Sequence, residues 1–73
     1  MGRLAEAESL FRRVLNVRER NRGVVHPDTL ISANNLAYLL RMMGQFEEAV
    51  PLYRRVLEAQ ERTLGAEHPD TLI

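Results

Sequence analysis

Two histidine–aspartate pairs, His26 with Asp28 and His68 with Asp70, have the types that ligate metals. Each pair is interrupted by a proline, and each opens the same hexapeptide, His-Pro-Asp-Thr-Leu-Ile, at an offset of 42 residues. Ligand pairs a whole repeat apart do not converge on one ion. The hexapeptide reads better as a device for starting a helix. A residue before proline is disfavoured from helical torsions. Proline suits the first helical position, where its missing N–H has no partner to lose. An aspartate just after it faces the positive end of the helix dipole, a contribution of about 0.3–1 kcal/mol. Arg12-Arg13 and Arg54-Arg55 would suit anions, but the glutamates around them point to an ion-paired outer face. Glu47-Glu48 have the types of an acid–base pair, yet neighbours on a helix point roughly 100° apart. They read as first-turn acids. The sequence holds no nucleophile–base set, phosphate loop or metal cluster, so no enzymatic activity, cofactor or metal is expected.

The elements that must position these residues follow from the repeat. The 42-residue offset runs upstream without a gap. It pairs Gly2 with Gly44, Glu6-Ala7 with Glu48-Ala49, Leu10 with Leu52 and Arg12-Arg13-Val14-Leu15 with Arg54-Arg55-Val56-Leu57. Glu19-Arg20 pairs with Glu61-Arg62 and Gly23 with Gly65. Residues 3–22 carry Leu4, Ala7, Leu10, Phe11, Val14 and Leu15 at three- and four-residue steps, an apolar stripe on one helix face. Glu8 and Arg12 lie four apart on that helix and support it. Gly23 ends it in the conformation glycine adopts most cheaply. A second helix is expected from about Pro27 to Met43, with Leu30, Ala33, Leu36, Ala37 and Leu40 inside and Gly44 as its stop. A third runs from about Gln45 to Leu64, with Phe46, Ala49, Tyr53, Val56 and Leu57 inside and Leu52 flanking. Arg54, Glu58 and Arg62 would form an outer charge ladder along it. Pro51 lies beyond its first turn and should cost a bond to Glu47 or bend it.

Bulk properties narrow the function class. With 73 residues, ten basic against ten acidic and every basic residue an arginine, the chain lacks the positive excess that nucleic-acid binding draws on. No apolar run approaches the roughly 20 residues of a membrane span, so neither a membrane nor nucleic acid is an expected partner. The absence of cysteine fits a reducing compartment, and a cytoplasmic location is the expectation. A chain this short makes one small domain with a modest core.

Residues Asn34 to Leu57, with Leu36-Ala37, Leu40, Gly44, Phe46, Ala49, Tyr53 and Val56-Leu57, resemble a tetratricopeptide repeat. The longer pattern through Gly65-Ala66-Glu67-His68-Pro69-Asp70-Thr71 is similar to the 42-residue repeats of kinesin light chains. It departs from the 34-residue form at Glu61, where that form has its closing proline. The resemblance implies an all-α, right-handed helical-hairpin solenoid. In those terms residues 1–73 form a single domain of three helices. Helix 3–22 is the second helix of a partial unit, 27–64 a complete pair and 68–73 the start of a further unit. The resemblance also implies a non-catalytic scaffold whose first helices hold extended peptides. Asn34, Tyr38 and Arg41, with Ile31 and Asn35 beside them, would be the peptide-binding residues. Asn34 would pair with a peptide backbone, Arg41 with an acidic group, and Tyr38 would add apolar area with a polar tip.

A solenoid helix packs against neighbours on both sides. Helices 3–22 and 45–64 each lack one neighbour, and Phe11, Leu15, Leu57 and Leu64 are too apolar to be caps. A homo-oligomer, by end-to-end docking or helix exchange, is therefore expected beside a protein or peptide partner.

Overall fold

The computed structural model describes residues 2–64, with the side chains of Gly2, Thr63 and Leu64 outside the description. The repeated hexapeptide at His68–Ile73 and the Leu64 side chain therefore lie beyond what is described. The elements are α1 (Gly2–Arg22), α2 (Pro27–Met42) and α3 (Phe46–Leu64). Every element among the described residues is helical. The chain is an all-α helical-hairpin array, as the sequence implies.

Punctuation sets the helix ends. Gly23 and Gly44 stand at φ 89° and 81°, the left-handed conformation that ends both first helices. At Gly44 the closure is complete. The Gln45 amide donates to the Leu40 carbonyl at 2.8 Å and the Gly44 amide to Arg41 at 3.0 Å. This pair of bonds satisfies carbonyls that the helix end would otherwise orphan. The expected ends at Met43 and Gln45 are the flanking cap residues: Met43 closes α2 and Gln45 accepts from the Ala49 amide. Pro51 sits inside α3, which continues through it.

α2 is the central element, packed against α1 on one flank and α3 on the other. Its buried residues are Thr29, Ser32, Ala33, Leu36, Ala37, Leu39 and Leu40. The alanines leave room for neighbouring backbones, and Leu36 and Leu40 fill the centre. Leu15 and Ala49 complete one cluster, with Leu52, Tyr53 and Val56 packed against it.

The outer helices depart from the expected stripes. Of the six apolar residues expected to face inward on α1, Leu15 alone is fully buried; Leu10, Phe11 and Val14 stay exposed. Phe46 is exposed on α3, whereas Ala59 is buried. A periodic stripe shows which face is apolar, not whether a neighbour covers it. Leu15 was expected to be an uncovered end residue. It is core, because α2 lies on it.

Thr29 is wholly buried and its hydroxyl has no hydrogen-bond partner among the described residues.

Candidate functional site

The start of α2 shows how the hexapeptide works. His26 is the cap residue, in extended torsions, and its imidazole Nδ1 accepts from the Asp28 amide at 3.1 Å. Pro27 takes the first helical turn and Asp28 lies in it. Proline and aspartate were legible as start signals; the imidazole as the capping acceptor was not, because histidine is an uncommon cap. Asp28 also pairs with Arg22 of α1 at 3.5 Å. Arg18 donates to the Asp28 carbonyl at 2.9 Å and to the Ser32 hydroxyl at 2.7 Å, tying α1 to the first turns of α2.

With its inner face and both flanks occupied, α2 turns one side outward. Ile31, Asn34, Asn35, Tyr38 and Arg41 are all exposed. Tyr38 lies opposite Leu36 and Leu40 on the helix. Ile31 and Tyr38 are 55% and 51% accessible, large for side chains on the best-packed helix. The Arg41 guanidinium lies 5.4 Å from the centroid of the Tyr38 ring, within range of a cation–π contact. Met42 is exposed on the same side. The sequence pattern gives no reason to single it out.

Two of these residues enter a cleft. A groove of about 580 Å³ runs between the first half of α2 and the second half of α3. Val25, Leu30, Ile31, Asn34, Leu57 and Gln60 are among its walls. Tyr38, Arg41 and Asn35 are not part of its lining. Its place in the repeat is informative. Leu57 and Gln60 are the counterparts, 42 residues on, of Leu15 and Arg18, the residues of α1 that α2 covers. The cleft is thus the position beside α3 that α2 holds beside α1.

The arginine pairs resolve into cross-helix links. Arg12 binds Glu8 on its own helix at 2.8 Å and Glu48 of α3 at 2.5 Å. Arg55 donates to Glu19 of α1 at 2.7 Å. These links join α1 and α3 side by side in the same direction, although their backbones do not touch across α2. The Arg12 guanidinium is held above the usual arginine range, first by its hydrogen bond to Glu48 and then by that to Glu8. The ladder expected along Arg54, Glu58 and Arg62 is not formed; no ion pair among the described residues involves them. Pairs that join residues 36 positions apart carry no signal in local spacing, unlike Glu8–Arg12.

No helix among the described residues is long and apolar enough to cross a membrane. No match is found among curated proteins. The family model of the tetratricopeptide repeat matches at two overlapping positions, residues 1–62 and 33–73. The two matches are displaced by roughly the length of a helix pair, as expected of a structure in which α3 takes up the part of α1 one unit later. With its hairpins, glycine stops and small-residue core, the chain belongs to the tetratricopeptide repeat family.

Proposed function

We propose that this chain is a non-catalytic interaction module that holds an extended peptide segment along the exposed side of α2. Tetratricopeptide repeats mediate protein–protein interactions as a class. The observation that carries the finer reading is the paired display of Tyr38 and Arg41 on the one helix whose other sides are all packed. Burial of that helix fixes the backbone beneath them, so little ordering cost remains when a ligand arrives. Arg41 offers a charge-assisted contact to an acidic group, and Tyr38 an amphipathic platform. Ile31 and Asn34 lead from this platform into the cleft beside α3, and Asn35 flanks it.

The test is a fluorescence-polarisation screen of extended acidic peptides, followed by Tyr38→Ala and Arg41→Ala. Each substitution should weaken binding about fivefold or more while leaving helicity unchanged, since both side chains are exposed. Binding that is indifferent to both substitutions would remove the α2 face from the reading.

A second reading, self-association through the ends, rests on its own observation. Leu10, Phe11, Val14 and Val17 are all exposed on the free flank of α1, and Val50 and Leu57 on α3. Contiguous apolar area of this kind favours burial against another chain.

A further inference from the structure

The cross-helix ion pairs carry a rule that extends beyond the three helices. Arg12 reaches forward from α1 to Glu48, and Arg55 reaches back from α3 to Glu19. Both links span 36 residues, and their members lie seven apart on each helix. Moving Arg12 and Glu19 one repeat onward gives Arg54 and Glu61, on the flank of α3 that faces away from α1. Moving Glu48 and Arg55 one repeat back gives Glu6 and Arg13, on the free flank of α1. All four charges are the same in kind in both copies, although neighbouring positions differ: Glu8 corresponds to Val50, Asn16 to Glu58 and Arg18 to Gln60. All four are exposed, and none takes part in an ion pair among the described residues. The apolar residues between them correspond as well. Leu15 and Leu52 share one cluster inside the molecule, joined through Leu36 and Leu40 of α2, and their counterparts Leu57 and Leu10 are both uncovered.

We propose that the outer flank of α3 docks the free flank of α1 from a second copy, with Arg54 on Glu6 and Glu61 on Arg13. This rests on the self-association reading and gives it a register. Exposed ion pairs contribute little attraction. The exposed apolar residues that the contact shields are Val50 and Leu57 on one side and Leu10, Phe11, Val14 and Val17 on the other, and the charges select one alignment. The docked helices run in the same direction, so the two surfaces differ and the contact is head-to-tail. Such a contact can carry assembly past a dimer, because each added copy presents its own α3 flank. The cleft over Leu57 and Gln60 lies at this junction and gains a wall from the second copy.

The experiment is absolute mass of the full chain by sedimentation over a wide concentration range. It compares wild type, the doubly reversed variant Arg54→Glu with Glu61→Arg, the doubly reversed variant Glu6→Arg with Arg13→Glu, and an equimolar mixture of the two variants. The expected result is a wild-type mass that rises past a dimer with concentration. Each variant alone should associate at least tenfold more weakly, and the mixture should recover the wild-type behaviour, because each reversed flank then meets its complement. A misfolded variant could not be rescued by mixing. If circular dichroism shows lost helicity, Arg54→Gln and Glu6→Gln provide the same comparison by weakening alone. A wild type that stays monomeric overturns this docking and the self-association reading together. A wild type that associates, with variants that associate equally or a mixture that recovers nothing, overturns the register and leaves self-association standing.

Discussion

α1 and α3 are two printings of one helix, and they differ in what lies beside them. Leu15 is 6% accessible and Leu57, its counterpart, is 43%. Ala49 is buried while Ala7 is half-exposed, and Leu52 is half-buried while Leu10 is 55% accessible. α1 lends α2 its forward flank and keeps its rear flank bare. α3 does the opposite. In a repeat array, then, the role of a residue is set by its neighbours as much as by its type, and a single helix carries two half-interfaces that are filled independently.

Truncating the two leucines should separate the helices most. Leu15→Ala removes a buried side chain from the centre of the core and should cost about 3 kcal/mol in urea unfolding. Leu57→Ala, measured under dilute conditions, should cost less than about 1 kcal/mol, since much of its surface is already in water. Equal losses would mean that Leu57 is covered in solution. Next in size is enlargement of the small residues. Ala49→Leu forces bulk into the contact between α3 and α2 and should destabilise by about 2 kcal/mol, whereas Ala7→Leu should fall within about 0.5 kcal/mol of wild type. The smallest difference concerns charge. A double-mutant cycle on Arg12 and Glu48 should give a coupling of about 0.5 kcal/mol that shrinks with added salt. Arg54→Ala in the dilute chain should be silent.

Much of the fold could be read before the structure. Helix ends fell within about a residue of the expected positions because glycine, proline and aspartate mark them by local backbone preference, which sequence displays directly. The i,i+4 pair Glu8–Arg12 was legible for the same reason. Coverage was not legible. Leu10, Phe11, Val14 and Phe46 belong to apolar stripes yet lie open, since a stripe cannot report whether a partner helix is present. Nor were the ties made by Arg18 and Arg55, because they join residues brought together only by the turns at Gly23 and Gly44. Arg18 did leave a trace, as one of the positions where the two copies differ. Of the candidate peptide face, spacing alone placed Tyr38 opposite the core leucines of α2; the stacking of Arg41 on its ring depends on side-chain rotamers that no periodicity encodes.

The opposed polarity of the two cross-helix ion pairs also bears on errors of alignment. The apolar stripe of α3 returns every two turns, Ala49 with Val56 and Leu52 with Ala59, so a slide of seven residues keeps apolar residues at these positions although their sizes no longer match. The charge pairing is not kept. Such a slide in one direction sets Arg12 against Arg55 and leaves only Glu19 with a partner, Arg62, and in the other sets Glu19 against Glu48. Like charges in contact turn a small attraction into a repulsion of similar size. Two weak pairs of opposite sense thus disfavour both slips, a discrimination that two pairs of the same sense would not provide. In this way contacts too weak to hold the helices together still favour one alignment of them.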